Sequence, residues 1–276
     1  METIVDFLVN SALLLAYSLV FIFIGGFIID LTERKSNYYL QKAMGYTGIV
    51  ITGMGTVIHE LSHLIMVIVG GMKATEVKLF RPIKGREDGK LGYVSYVYNK
   101  RNLYSSMFLV LVGIAPIIGG TIVILISLKV FMPTVFTNLI ERIGSVAIES
   151  SVFNGAFVTS QFQIIIDFFK ELFTLTNITT VGFWIFLFIV LSIASHMSLS
   201  KADIMGSAKG IPALYLLMIV INIVLMIFGV GMDVVAKYIE IINVYVIMFL
   251  NISVVFSILN LTLSFAISKA SELIKR

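Results

Sequence analysis

The stretch Thr56-Val57-Ile58-His59-Glu60-Leu61-Ser62-His63-Leu64-Ile65 sets two histidines and a glutamate inside an apolar run that extends from about Gly45 to Val69. Such a run reaches the roughly 20 residues that a helix needs to cross a bilayer. On a helix, positions four apart share one face, so the imidazoles of His59 and His63 can reach a single divalent ion. Glu60 projects about 100° away from His59, beside that ion without having to bind it. A carboxylate so placed can take a proton from a water that attacks a carbonyl polarised by the ion. Burying a glutamate at bilayer depth costs at least a few kcal/mol, so the trio belongs against a protein interior or a wet cavity and marks function. The plainer alternative is a set of hydrogen bonds between helices, a task that Ser or Thr performs at lower cost.

Composition supports a membrane setting. Of 276 residues, 58% are hydrophobic and 13% charged, against about 25% charged in ordinary soluble domains. The chain reads as an all-α polytopic membrane protein, one integral membrane domain over 1–276, with about six transmembrane helices and a small β-hairpin between the second and third. The spans are Phe7 to Ile29, Gly45 to Val69, Ser106 to Phe131, Val181 to Ser195, Ile211 to Val230 and Ile241 to Ile267. The first is too long for a signal-peptide core and has no small-residue cleavage pattern, so it reads as retained. The hairpin is expected over about 75–98, where Thr75–Phe80 and Leu91–Tyr98 alternate β-branched and aromatic residues around a Pro- and Gly-containing connection. A bend is expected at Pro116, and an amphipathic or re-entrant helix around Phe153 to Phe173.

Cysteine is absent, which excludes disulfides and thiolate ligands and leaves imidazole and carboxylate to hold a metal. The net charge of +4 needs no nucleic-acid partner, because basic loops are drawn to anionic lipid. With six spans both termini share one side. The segments 70–102 and 196–210 and the tail carry most of the lysine and arginine, which puts that side in the cytosol, with the stretch from Asp30 to Met44 opposite. Catalytic zinc takes a third protein ligand and an open position. Asp203 follows the fourth span, at the end toward which the second span also runs. Asp167 falls on the other side. His196 shares the Asp203 segment and is either an alternative ligand or a residue that orients one; the competing reading of Asp203 is a plain helix-end aspartate.

These residues resemble the site-2 protease family of intramembrane zinc metalloproteases, peptidase family M50. The resemblance rests on His59-Glu60-Leu61-Ser62-His63, on Gly70 to Phe80 leading into the hairpin, and on Gly113-Ile114-Ala115-Pro116. It covers 45–120 well and 190–210 weakly. It implies Zn²⁺ held by His59, His63 and an aspartate of a later helix, here matched by Asp203, with Glu60 catalytic and 45–210 as the catalytic core. The family's Leu-Asp-Gly is replaced here by Ala202-Asp203-Ile204. An asparagine polarises the substrate carbonyl in the family; Asn154 is the candidate for that role here, and its placement on the outer side speaks against it.

The expected function is therefore a zinc metalloendopeptidase that hydrolyses peptide bonds of transmembrane or membrane-adjacent substrates, in the plasma membrane of a prokaryote, with its site toward the cytosol. Its partners are a membrane protein or peptide substrate and the lipid bilayer; oligomeric state is not legible. Two alternatives are a metal-linked transporter or channel and a catalytically inactive protease relative. Gly119-Gly120 reads as a close helix contact, and Tyr93, Tyr96 and Tyr98 as an interfacial aromatic belt. A free hairpin edge could take an unwound substrate as an added strand.

Overall fold

The computed structural model of the protein describes residues 4–149 and 155–274; Asn154 lies outside them. The described chain is mostly helical, in the order α1 (Ile4–Met44), α2 (Tyr46–Ile51), α3 (Gly53–Val69), β1 (Lys73–Lys78), α4 (Pro82–Asp88), β2 (Tyr93–Val97), α5 (Leu103–Phe131), α6 (Pro133–Glu149), α7 (Gly155–Leu172), α8 (Leu175–Ile178), α9 (Val181–Ala194), α10 (Lys201–Ile227) and α11 (Met232–Ile274). Four helices, α1, α5, α10 and α11, are long and apolar enough to cross a membrane, and α3 and α9 are shorter apolar helices. This is a helical membrane protein with one small sheet among its described residues.

The sheet is the antiparallel pair β1–β2, with Val77 opposite Val94 and an irregularity between Ala74 and Glu76. Its strands are joined by α4 rather than by a tight turn. Proline at the start of α4 supplies the fixed φ of a first helical turn, and Gly89, at φ 73°, ends it in the left-handed region. Asp88 accepts the Lys90 backbone amide and pairs with Arg81, which holds its carboxyl below the usual carboxylate range.

The frame of the site is α5. Proline at 116 does not break it; the helix runs unbroken from Leu103 to Phe131. Against it, α9 and α10 lie end to end and antiparallel. Gly182 abuts the Phe131 carbonyl, Gly120 faces Met197, Gly113 faces the Asp203 carbonyl and Ser207, and Gly210 abuts the Ser106 carbonyl. The stretch from His196, expected as a loop joining two antiparallel spans, is instead a helix break followed by the first turns of α10. The physical reason is the glycine series along α5 and α10, which lets the second helix continue along the same groove without Cβ collisions.

The two long terminal helices run parallel. Ser18 accepts from Asn243, Gly25 meets Leu250, Thr32 bonds to Ser257, and Ser271 donates to the Ala43 carbonyl. The first three pairs recur every seven residues on both helices, the spacing of a left-handed coiled-coil seam. Small and hydroxyl side chains fill it, as expected where helices approach closely in lipid. Two expectations are corrected here. Residues 30–44 are not a loop facing the opposite side from the tail: they continue α1, and Lys42 pairs with Glu272 at 2.6 Å. Parallel α1 and α11 also put the start of the first and the end of the last at opposite ends of the seam.

A valine in place of Gly113 has to push α10 away from α5, since its Cβ falls on Ser207 and the Asp203 carbonyl. Gly113→Val is expected to destabilise the chain by about 1–3 kcal/mol, read as a lower Tm of the detergent-solubilised protein; an unchanged Tm would contradict this packing.

Candidate metal centre

His59 and His63 stand one turn apart on α3, with Nε2 atoms 3.1 Å from one another. Each ring is held from behind by a backbone carbonyl: His59 Nδ1 lies 2.7 Å from the His196 oxygen and His63 Nδ1 lies 2.8 Å from the Val112 oxygen. A carbonyl only accepts, so both Nδ1 atoms carry the proton, and in a neutral imidazole the Nε2 is then a bare lone pair. The two lone pairs therefore face each other. The Asp203 Oδ1 completes the group, 3.3 Å from His63 Nε2, and no two of the three ligand atoms are more than 4.8 Å apart. Three acceptors converging with no donor between them are a donor set suited to a divalent cation, and with no thiolate among them it is a hard-to-borderline one.

Local chemistry explains why those carbonyls are free. In α5 the helical partner of the Val112 oxygen would be the amide of residue 116, and proline has none. His63 takes the acceptor that the proline leaves. The His196 carbonyl lies in the break after α9, beyond that helix's own ladder. The start of α3 is fixed to the same region, because Ser192 Oγ accepts from Gly55 N and donates to the Thr52 carbonyl. It does the work of the missing side-chain cap at Thr52.

Asp203 serves twice. With Ser200 it forms a capping box at the start of α10, its Oδ2 accepting the Ser200 amide at 2.8 Å while Ser200 Oγ accepts the Asp203 amide. Its other oxygen faces His63. The helix-end reading and the ligand reading of this residue thus describe its two oxygens. His196 does not join the ligand group; its carbonyl orients His59, and its own ring contacts the Ser192 carbonyl at 3.3 Å. Asp167, on α7, accepts from Gln163 at an exposed position and is not part of the group.

Glu60 is 8% exposed and lies against β2, close enough to Asp203 for the two carboxylates to feel one another. It faces the backbone amide of Val94, and a Cβ on Gly92 would stand 2.8 Å from its Cγ. Glycine at 92 is what lets the strand pass so close. Gly119 makes the matching approach on the other flank, against Ser62 of α3, in line with its expected role as a packing residue. Of the tyrosines, Tyr93 donates to Glu76 at 2.7 Å and Tyr96 packs against the cluster of Val67, Met72, Leu109 and Val112.

A cavity of about 560 Å³ opens beside His59 and Glu60 and reaches Glu33 and Asn37 on α1 and the turn from Gly89 to Gly92. Sequence reading did not anticipate α1 in this wall. Comparison of the chain with known protein families, with curated proteins and with solved structures returns no match.

Pro116→Ala restores a helical donor for the Val112 carbonyl and so competes with His63. Partners that orient a ligating histidine typically account for about 10–100-fold in metal affinity, and a loss in that range is expected in zinc competition with a chelator. Affinity within about twofold of the unmodified chain would refute the assignment of this carbonyl.

Proposed function

We propose that the protein is an intramembrane zinc metalloendopeptidase that hydrolyses peptide bonds of transmembrane or membrane-adjacent substrates, with six apolar helices, α1, α3, α5, α9, α10 and α11, in the membrane region. The observation that carries this reading is the convergence of His59 Nε2, His63 Nε2 and Asp203 Oδ1, with Glu60 next to them. Two donors bound at 2.0–2.1 Å to a tetrahedral ion stand roughly 3.3 Å apart; the two separations from His63 Nε2 are 3.1 and 3.3 Å, and the third pair lies within 4.8 Å. The donor chemistry fits zinc, and His59, His63 and Asp203 are the residues that would hold it. When bound, zinc supplies a Lewis acid that polarises the scissile carbonyl and makes water more acidic.

Glu60 then has a two-way task. It accepts a proton as water adds to the carbonyl carbon and returns it to the leaving nitrogen as the C–N bond breaks; the amine so formed takes up the remaining water proton from the new carboxyl group, leaving a carboxylate and an ammonium. The β1–β2 sheet supplies a place for the substrate backbone. A peptide bond within a membrane is satisfied by its own helix, and to be cut it has to unwind and find other partners. The sheet has two strands, so β2 has an edge that β1 does not pair; that strand passes Glu60 at Val94, and an added strand along its edge would gain such partners.

Orientation follows the basic residues. With α1 parallel to α11, Arg34, Lys35 and Lys42 lie at the end of the molecule where α11 ends and carries Lys269. That asymmetry favours a cytosolic position for this end and for the site beside it.

Glu60→Gln is expected to keep zinc at the level of the unmodified chain while cleavage of a single-span reporter in proteoliposomes falls by at least about 100-fold. His59→Ala is expected to lose both. Normal turnover by Glu60→Gln would sink the mechanism, and zinc-dependent ion flux without any proteolysis would move the assignment to a transporter.

A further inference from the structure

The cavity beside Glu60 is larger than the delivery of a hydrolytic water requires. At roughly 30 Å³ per molecule, about 560 Å³ has room for more than ten waters. Its walls are polar in a particular way. Asn37 Oδ1, Tyr46 Oη, Thr56 Oγ1 and His196 Nε2 are buried atoms without a protein partner among the described residues, and all four residues line this one space. Thr56 and His196 are 6% and 8% exposed. Glu33, Asn37 and Gln41 follow one another at intervals of four along α1, so they form a single stripe facing the chamber.

Glu33 is the one acid of that stripe. Glu33 accepts from the Ser198 amide at 3.2 Å, and among the described residues no cation lies within ion-pair distance of it; the neighbouring Arg34 is committed to Asp30 at 2.8 Å. Arg86 and Lys90 stand exposed on the far wall, on the segment that joins the strands. Amides and hydroxyls that both give and accept hydrogen bonds match peptide groups, which carry one donor and one acceptor each. They offer little to an acyl chain; the bases of the lining, Arg86 and Lys90, are exposed to solvent, whereas an anion on the α1 stripe would meet Glu33. A membrane-spanning polypeptide, by contrast, brings lysine and arginine to its cytosolic flank as a rule of insertion.

We propose that the chamber seats the juxtamembrane flank of a membrane-spanning polypeptide, Glu33 pairing with a lysine or arginine of that flank while Asn37 and Gln41 bond to its backbone. The identity of the flank as part of a substrate rests on the endopeptidase reading; the binding preference does not. The site continues directly into His59 and Glu60, so a chain held there runs on to the metal ligands.

Absence of natural cysteine permits a direct test on the full-length, zinc-supplied chain in nanodiscs. Ile49→Cys places one thiol in the chamber wall, and its rate of maleimide labelling reports occupancy. The probes are three end-blocked hexapeptides, identical except for a central lysine, norleucine or glutamate. The lysine peptide is expected to protect the thiol at about fivefold to tenfold lower concentration than the other two. Glu33→Gln is expected to bring the three together, and Asn37→Leu to weaken all three alike. Equal protection by lysine and norleucine, or protection by none, overturns the proposal. Because the readout is binding, a chain that prefers the lysine peptide yet cleaves nothing separates failure of the endopeptidase reading from failure of this site.

Discussion

Two hydrogen bonds that involve no functional side chain's reactive atom govern the centre of this protein. They run from His59 Nδ1 to the His196 carbonyl and from His63 Nδ1 to the Val112 carbonyl. Each fixes a tautomer, and together they turn two lone pairs toward the same point. Without them the rings would be free to rotate or to donate to one another, and Asp203 would have a hydrogen-bonded histidine before it rather than an acceptor set. The carbonyls are available only because regular structure fails at those places, at a proline within α5 and at the break between α9 and α10. The proposed metal chemistry therefore depends on two interruptions of helical bonding.

Close backbone approach is the second requirement. The site draws on α3, on the break after α9 and on the first turn of α10, and α5 brings these together by offering glycine wherever a neighbour comes near: Gly113 to Asp203 and Ser207, Gly119 to Ser62, Gly120 to Met197. In a lipid setting helices gain little by burying apolar surface against one another, so van der Waals fit of this kind bears more of the packing than it would in water. The β1–β2 sheet obeys the same logic at Gly92, which admits the strand to within contact of Glu60.

The terminal helices set the outer limit of the site. The heptad seam of α1 and α11 extends the first helix, through the residues that read as a polar loop, to the rim of the chamber. It thereby brings Glu33 and Asn37 within the same space as His59 and Glu60. The proposed recognition of a basic flank is a consequence of that seam: without parallel packing on α11, the polar part of α1 would have no reason to remain helical or to lie over the break after α9.

Membrane character, the helical nature of most of the chain, the pairing of two strands between α3 and α5, and the trio His59, Glu60 and His63 were all legible in the sequence, because hydropathy and spacing along a helix are local properties. Asp203 was legible as a candidate, and its Ser200-x-x-Asp203 capping box could have been read from spacing alone. Three further features lay beyond local reading. The parallel course of α1 and α11 was decided by contacts some 225 residues apart in sequence. The end-to-end placement of α9 and α10 along α5 was decided by which glycines face which neighbours. The use of Pro116, visible as a helix irregularity, became meaningful only when the carbonyl it frees was found beneath His63. Sequence specifies which groups a segment carries; only the tertiary fold specifies which atom of another segment will satisfy them.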